Sequence, residues 1–339
     1  MKTVFAKAPL RLGLAGGGTD LEPYWKQYGG VVLSGTIDQY AYCKVEPWDD
    51  WCFKSVDLDV EETYEFIDSD EVNSSSLKLL VNAYKHIVDG FAHRTPVRIT
   101  TYVEAPPGSG LGSSSALVVA LISAICEYHN LPKDEYEIAN LAVYIERTVC
   151  NLPGGKQDQY SAAFGGFNYL EFLQDGRTIV NPLRLNYKTQ NMLELNTVLY
   201  YVGKPRKDER VIEATSQNLS SNEKTLEATH KIKDTCIEFK RSLLVGDVKQ
   251  ISRLMNEYWQ HKLQTSEKVG SPELLDTYEY AISNGATAAK ISGAGGGGHI
   301  ILFTDFEKRH KLISALKERG TGRVVPFKFV KHGVDVWRA

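Results

Sequence analysis

The sequence predicts an α+β protein built from two lobes. Runs of residues typical of strands and of helices are mixed along the chain of 339 residues. The composition, 42% hydrophobic and 24% charged, is that of a globular protein, and the chain is long enough for two cores. No internal repeat or low-complexity tract is visible. We place the boundary near residue 190, which gives lobes of residues 1–190 and 191–339.

Strand patterns come first along the chain. Residues 3–46 are rich in β-forming side chains and are interrupted by glycine clusters. Between Leu77 and Val88 apolar residues recur at spacings of three and four, which predicts a helix. Between Val97 and Val103 apolar and polar residues alternate, which predicts a half-buried strand.

Helix patterns dominate the rest of the chain. Residues 115–126 are apolar on nearly every side, and a segment of this length predicts a helix buried in a core rather than a membrane span. A second helix after Pro132 has an apolar stripe with spacings of three and four: Ile138, Leu141, Ala142, Ile145 and Val149. The later predicted elements are helices at about 222–245, 247–265 and 272–284 and strands near 297–303 and 323–337.

Composition limits the classes of partner. The net charge of −3 gives no electrostatic reason to expect a nucleic-acid partner. The 5 cysteines are never spaced Cys-x-x-Cys, so we expect reduced thiols rather than a disulfide framework or a zinc site. No signal peptide is visible, and no apolar run approaches the roughly 20 residues of a membrane span. We therefore expect a cytoplasmic protein without a membrane partner, and the sequence leaves a homodimer open.

The segment from Pro106 to Ser115, PPGSGLGSSS, carries the strongest chemical signal. It lies between a predicted strand and the buried helix, where backbone N–H groups converge on anions. It has neither the Gly-Lys-Ser/Thr ending of a Walker loop nor the spacing of a dinucleotide fingerprint. A glycine-rich turn that caps a helix is the alternative, but the run of serines after Gly112 favours a phosphate-binding loop. The candidate residues are Pro107, Gly108, Ser109, Gly110, Leu111, Gly112, Ser113, Ser114 and Ser115.

Two further glycine clusters lie far from this loop in the chain. Residues 9–20 have the sequence PLRLGLAGGGTD, and residues 290–299 have the sequence KISGAGGGGH. One such cluster is weak support for a site, because loops collect glycine for turns alone. The three motifs together, in this order and at these separations, resemble those of the GHMP kinases. That family is named for galactokinase, homoserine, mevalonate and phosphomevalonate kinases, and the resemblance covers nearly the whole chain.

The resemblance implies a fold, a chemistry and cofactors. We expect an N-terminal lobe like domain 2 of ribosomal protein S5, a ferredoxin-like C-terminal lobe and an active site between them that uses ATP and Mg²⁺. Within the family, AGGGTD at 15–20 and GGKQDQ at 154–159 most resemble heptose 7-phosphate kinases, which are close kin of fucokinases. The expected reaction moves the ATP γ-phosphate to the anomeric hydroxyl of D-glycero-D-manno-heptose 7-phosphate, for nucleotide-activated heptose and surface glycan synthesis.

The resemblance also implies roles for single residues. Ser114 and Glu146 fall at the magnesium-binding positions, Asp158 falls at the catalytic aspartate, and Arg11 falls at the cationic residue beside it. Because a carboxylate is a weak base toward an alcohol, we expect Asp158 chiefly to orient the acceptor hydroxyl. The alternatives are a solvated helix charge for Glu146 and a turn-capping carboxylate for Asp158. Gly295 of the third cluster is expected to contact the nucleotide.

Expected substrate contacts come from several segments. Thr19 and Asp20 resemble the family's sugar-hydroxyl contacts, with a helix N-cap as the alternative. The substrate contacts expected beside Asp158 are Gly155, Lys156 and Gln157.

Two basic candidates concern a phosphate on the substrate. Lys262 ends an apolar stripe at helical spacing, so it either extends to solvent or binds a substrate phosphate. Arg206 belongs to a basic set (Lys204, Arg206, Lys207 and Arg210) for which a solvated loop is the alternative.

Three other functions stay open from the sequence. A fucokinase-like enzyme would accept a free sugar, and an enzyme of the diphosphomevalonate decarboxylase type would release carbon dioxide. A non-catalytic sugar-binding protein on the same fold is the third, but we expect such a protein to lack Ser114, Glu146 or Asp158, and all of these are present.

Overall fold

The structure is a computed structural model that describes residues 3–68, 72, 74–89, 94–203 and 208–339. The strands, in chain order, are β1 (Val4–Ala15), β2 (Gly30–Pro47), β3 (Trp51–Ser55), β4 (Val60–Tyr64), β5 (Val97–Val103), β6 (Phe167–Phe172), β7 (Thr178–Pro182), β8 (Thr197–Tyr201), β9 (Ala286–Ile291), β10 (His299–Thr304), β11 (Arg323–Val325) and β12 (Asp335–Arg338). The helices are α1 (Glu22–Tyr28), α2 (Lys78–Ile87), α3 (Ser113–Tyr128), α4 (Glu135–Tyr144), α5 (Gln157–Phe164), α6 (Tyr187–Asn196), α7 (Asp208–Ser221), α8 (Glu223–Val245), α9 (Val248–Leu263), α10 (Pro272–Ser283) and α11 (Phe306–Arg319).

Two sheets carry the fold and confirm the predicted mixture of strands and helices. The larger sheet has the order β12-β1-β2-β5-β3-β4, and β6 pairs with the first part of β2 and with β7. The smaller sheet has the antiparallel order β11-β8-β10-β9. The predicted boundary near residue 190 falls within α6, which joins the two sheets, and it stays a prediction. The end of the chain returns to the larger sheet, because β12 pairs with β1.

Helix α3 is the buried helix that the sequence predicts. Most of its residues, such as Ala116 and Leu121, have almost no exposed surface. A helix with apolar side chains on every face is expected to be buried on every face. Helix α3 packs against β1 and β2. The predicted phosphate-binding loop, residues 106–115, is called the central loop from here on. Its last three residues form the first turn of α3, so the core fixes their position.

The second predicted helix differs from the prediction at its end. Its start is fixed by a capping box between Asp134 and Glu137. The α-helical part ends at Tyr144, and a π-helical turn spans Ile145–Val149. Because the wider turn changes the side-chain register, Val149 leaves the predicted apolar stripe and is 37% exposed.

Several regions that were predicted without helices contain them, namely those of α1, α5, α6, α7 and α11. Helix α5 begins at Gln157, so Asp158 lies in the first turn of a helix and not in a loop. Helix α7 includes Arg210, which was predicted in a polar connection, whereas Lys204, Arg206 and Lys207 lie outside the described residues. Among the residues that the structure describes, none of the helices has the length and apolar character of a membrane span.

Candidate active site

A cavity of about 520 Å³ lies where the predicted motifs meet. Its wall includes Arg11 and Asp20 from the first motif, Ser114 from the central loop, and Glu146 and Asp158 from the segments that follow. Residues separated by more than a hundred positions in the chain therefore surround one space. A concave site with converging polar groups is the usual form of a small-molecule site.

The central loop takes a backbone shape that only glycine adopts easily. Gly108, Gly110 and Gly112 have φ angles of 70°, 74° and 74°, in the left-handed region. Gly112 is the N-cap residue of α3, and Ser113, Ser114 and the rest of the first turn follow it. The free N–H groups at the start of α3 therefore border the cavity, as an anion site requires.

The third glycine cluster packs against the central loop. Ser292 donates from Oγ to the carbonyl of Gly110 at 2.8 Å, and His299 donates from its backbone N–H to the carbonyl of Ser109 at 3.1 Å. A Cβ at Gly298 would lie 2.2 Å from that Ser109 oxygen. The cluster is rich in glycine because two backbones meet at a distance that side chains would prevent.

The imidazole of His299 strengthens this contact. Its Nδ1 lies 2.8 Å from the carbonyl oxygen of Ser109, so Nδ1 carries the proton and donates. Burial lowers the pKa of His299 to about 4, so the ring is neutral at pH 7. The central loop is thus held by a neutral donor whose charge does not change in the physiological range.

Arg11 and Asp158 form a two-bond ion pair in the wall of the cavity. Arg11 donates from Nε to Oδ1 of Asp158 at 2.8 Å and from NH2 to Oδ2 at 2.9 Å. Its remaining nitrogen NH1 donates to the carbonyl of Gly110 at 2.5 Å. Because the Arg11 side chain is 5% exposed, this geometry is held by packing and fixes the carboxylate of Asp158 beside the central loop.

Glu146 lies in the π-helical turn and faces Ser114. The two side chains are joined by a hydrogen bond of 3.3 Å from Oγ of Ser114 to Oε1 of Glu146. The other carboxylate oxygen accepts a short hydrogen bond from Nε2 of Gln159, which also donates to Ser115 at 3.1 Å. Glu146 is 2% exposed, so the solvated helix charge considered above is wrong. A π-helical turn at such a position is common at functional sites.

Asp20 is held in the cavity wall by backbone and side-chain donors. Its Oδ1 accepts from the backbone N–H of Gly18 at 3.1 Å, and its Oδ2 accepts from the backbone N–H and Nε2 of Gln157 at 3.2 and 3.1 Å. A Cβ at Gly155 would lie 1.8 Å from Oδ2 of Asp20, so any larger residue there would displace this carboxylate. Asp20 is not a helix N-cap, because Leu21 has that position in α1.

Comparison with known proteins decides the family. The model of the GHMP kinase N-terminal domain matches residues 78–166, and that of the C-terminal domain matches residues 239–322. D-glycero-alpha-D-manno-heptose 7-phosphate kinase of Campylobacter jejuni is 42% identical over 344 residues, covering 100% of both chains. The chain belongs to the GHMP kinase family. It is therefore an ATP-dependent phosphotransferase, as the sequence motifs predict.

Solved structures agree with this assignment. A D-glycero-D-manno-heptose 1-phosphate kinase of Bacteroides thetaiotaomicron is 37% identical and has a TM-score of 0.83, with 99% of each chain covered. The galactokinase of Lactococcus lactis is 17% identical and has a TM-score of 0.76, and the match covers 98% of this chain and 95% of the galactokinase chain. At that identity the second likeness shows the fold alone.

Some of the substrate and nucleotide contacts predicted for this GHMP kinase line the cavity, and others do not. Thr19 does not line the cavity: its hydroxyl donates to the carbonyls of Gly16 and Val31 and accepts from the N–H of Val31. The prediction of a sugar contact at Thr19 is therefore corrected to a structural role. Gly155 and Gln157 do line the cavity.

Three other predicted contacts are absent from the residues that line the cavity: Lys156, Leu111 and Gly295. The ammonium of Lys156 lies 3.9 Å from the ring centroid of Trp25 and donates to Gly176, and burial lowers its pKa. Leu111 is fully buried in the core. Gly295 lies behind the wall against Val269, and its neighbours Gly293 and Ala294 line the cavity instead.

Lys262 lines the cavity, so the alternative that it extends to solvent is wrong. It is 4% exposed, and its Nζ donates to the carbonyl of Gly17 at 3.3 Å. Arg206 lies outside the described residues. Arg147 is a cavity residue that the sequence reasoning missed, and its guanidinium binds the carbonyls of Leu152 and Gly155 at 3.2 and 3.1 Å. Its place directly after Glu146 was the available signal.

Proposed function

We propose that this GHMP kinase transfers the γ-phosphate of ATP to the anomeric hydroxyl of a manno-heptose that carries a phosphate at its other end. The product would be a heptose 1,7-bisphosphate. The printed names of the two similar proteins agree on a manno-heptose and differ in the position of the phosphate. The observation that carries the proposal is the order of groups along the cavity wall.

That order follows from a chain of contacts. Ser114 lies at the start of α3 and donates to Glu146 in the π-helical turn, and the carboxyl carbon of Asp158 is 3.2 Å from where a Cβ of Gly112 would be. Next along the wall comes Asp20, which shares Gln157 with the segment that carries Asp158. Beyond Asp20, the Nζ of Lys262 is 3.2 Å from the Cβ position of Gly18.

These groups match a linear substrate with two different ends. The N-terminal turn of α3 suits the ATP phosphates, and Asp158 suits the hydroxyl that receives the phosphoryl group. Asp20 is an acceptor for sugar hydroxyls, because a buried carboxylate binds hydroxyl donors strongly. Lys262 provides a positive charge at the far end, where the phosphate of the heptose would lie.

Asp158 acts by orientation in this proposal. Both of its oxygens accept from Arg11, so the carboxylate is held in place and presents its remaining lone pairs to the acceptor hydroxyl. Such a carboxylate aligns the hydroxyl with the γ-phosphate and receives its proton once the new bond forms. The adjacent guanidinium stabilises the negative charge that develops in the transition state.

Ser114 and Glu146 fit the ligand set of Mg²⁺. Mg²⁺ is usually bound by one or two carboxylates with substrate phosphates and waters, and here one carboxylate oxygen and one hydroxyl face the phosphate end of the cavity. Among the described residues, no group of His, Cys, Asp and Glu forms a complete metal cage. When bound, the ion would neutralise charge on the transferring phosphate.

Replacing Glu146 with glutamine is expected to raise the Mg²⁺ concentration required for half-maximal activity by about 10- to 100-fold. Glutamine keeps the size of the side chain and removes the charge that holds the ion. Titration of Mg²⁺ at fixed ATP measures the effect. Glu135→Gln is the control, because Glu135 is exposed on the preceding helix away from the cavity. An unchanged Mg²⁺ requirement in Glu146→Gln contradicts the metal role.

Substrate identity is tested by ATP consumption with a panel of acceptors. The panel contains manno-heptose 7-phosphate, the unphosphorylated heptose, fucose, galactose and mevalonate. We expect the phosphorylated heptose to give the highest kcat/KM, with a product whose new phosphate is on C1 by phosphorus NMR. Activity on fucose with none on heptose phosphate, or release of carbon dioxide, would overturn the proposal.

Replacing Lys262 with methionine tests the phosphate end in the same panel. Loss of a hydrogen bond to a charged group is expected to lower kcat/KM for heptose 7-phosphate by about 10- to 100-fold. The value for unphosphorylated heptose is expected to fall much less, because the lost bond to the Gly17 carbonyl affects both acceptors alike, so the preference for the phosphate collapses. Lys268→Met, an exposed position outside the cavity, is the control. Equal losses on both acceptors speak against a phosphate contact.

A further inference from the structure

Lys290 is a buried cation that the phosphoryl-transfer site does not use directly. It lies on β9 in the smaller sheet, is 2% exposed, and does not line the cavity. In the part of the chain that the structure describes, no carboxylate forms an ion pair with it. A buried lysine without a carboxylate partner is costly, and a side chain without charge would pack there at lower cost.

The ammonium of Lys290 binds the end of β1. It donates to the carbonyl of Gly13 at 2.5 Å and to the carbonyl of Leu14 at 3.3 Å. These residues lie two and three positions after Arg11, and only Ala15 separates Leu14 from the glycines that lead to Asp20. Strand β1 belongs to the larger sheet and β9 to the smaller one. Lys290 therefore joins the smaller sheet directly to the end of β1 that leads into the site.

Tyr258 on α9 completes this contact. The Nζ of Lys290 lies 4.3 Å from the centroid of the Tyr258 ring, a distance at which a cation is attracted to the ring face. The hydroxyl of Tyr258 donates to the carbonyl of Gly17 at 3.3 Å. Lys290 and Tyr258 therefore bind the first glycine-rich segment on both sides of its turn, at Gly13 and Leu14 and at Gly17.

We propose that Lys290 is a positioning residue that, together with Tyr258, sets the place of the acceptor-binding segment from the opposite sheet. The segment from Gly13 to Asp20 has four glycines, so its backbone has little stiffness of its own. The hydrogen bonds from Lys290 and Tyr258 to its carbonyls hold it in one conformation. Asp20 then meets the acceptor at a fixed distance from Asp158. The inference rests on the proposed function in that Asp20 contacts the acceptor.

The charge state of Lys290 gives a second readout. Burial and, to a smaller extent, the positive charges of Arg11 on β1 and Lys262 on α9 together lower the pKa of Lys290 to about 7, while Cys236 on α8 acts in the other direction. The unfolded chain holds this proton up to about pH 10.4. Between pH 7 and 10 the unfolded state thus binds more protons, so the contribution of Lys290 to stability rises with pH.

The test is Lys290→Met, which keeps the length of the side chain and removes the donor. Misplacement of the glycine segment is expected to raise KM for the acceptor by about 10- to 100-fold. KM for ATP is expected to stay within about twofold, because the central loop is held by Ser292 and His299 instead. The thermal midpoint of Lys290→Met relative to the wild type is expected to be highest near pH 6 and to decline toward pH 9.

Two further variants complete the experiment. Tyr258→Phe keeps the ring and removes the hydroxyl, and we expect a smaller rise in the same KM. Lys240→Met is the control, because Lys240 also lies on a tyrosine ring, 3.7 Å from the centroid of Tyr169, but outside the cavity. A role in stability alone would lower the thermal midpoint of Lys290→Met and leave both KM values unchanged, and that result overturns the proposal, as does a parallel rise for ATP.

The acceptor is the one that the wild type uses best in the panel. If heptose 7-phosphate fails there, the proposed substrate is wrong, but the comparison of the two KM values still tests Lys290 with whichever acceptor the enzyme takes.

Discussion

Replacement of Asp158 by asparagine is expected to lower kcat by about 10²- to 10⁴-fold, the range that a positioned proton acceptor contributes. Asparagine has the same shape and can still accept one hydrogen bond from Arg11, but its amide nitrogen cannot receive the proton of the acceptor hydroxyl. KM for ATP is expected to change little, because the start of α3 and the central loop remain intact. Steady-state rates at saturating ATP and acceptor measure the loss.

The Asp158 variant also removes the charge that balances a buried guanidinium. Arg11 is 5% exposed on its side chain, and we expect the free energy of unfolding to fall by about 1–3 kcal/mol as one of its donors loses its partner. Calorimetric binding of ATP by Asp158→Asn serves as the control for a folded site. Nearly full turnover in a variant that binds ATP normally would refute the catalytic role of Asp158.

Motifs that act through the backbone were predictable from sequence. The glycines of the central loop have positive φ angles, and the serine run begins a buried helix, so local pattern and tertiary structure agree there. The site partners of this loop came from family resemblance. Without the resemblance, a solvated helix charge was the alternative for Glu146, and the π-helical turn that directs it inward has no local signal in the apolar pattern.

Side-chain direction in the glycine-rich segments was not predictable. Thr19 and Asp20 are neighbours in the chain. The hydroxyl of Thr19 forms hydrogen bonds with three backbone groups, whereas the side chain of Asp20 lines the cavity. The choice depends on β2, whose backbone reaches Thr19 only in the folded state. Lys290 is a similar case, because its partners, the carbonyls of Gly13 and Leu14, belong to a strand 276 and 277 positions away.

Replacement of Gly110 by alanine is expected to raise KM for ATP by about 10²-fold or more, the effect of moving a binding loop by about 1 Å. The residue has a φ angle of 74°, and its new Cβ would lie 2.5 Å from the carbonyl oxygen of Ser292. That oxygen belongs to backbone next to β9 and cannot rotate away as a side chain would. The central loop must therefore separate from the third glycine cluster, and the Gly110 carbonyl then leaves Arg11 and Ser292.

Gly176→Ala separates the cost of the clash from the cost of the backbone angle. Gly176 has a φ angle of 91°, and its added Cβ would have no neighbour within 4 Å. Both variants carry the conformational cost of a left-handed alanine, about 1–2 kcal/mol, in their free energies of unfolding. We expect KM for ATP to rise only in Gly110→Ala, because only there does the added carbon meet a backbone, that of Ser292. Normal KM for ATP in Gly110→Ala would mean that the two glycine segments need not touch for the nucleotide to bind.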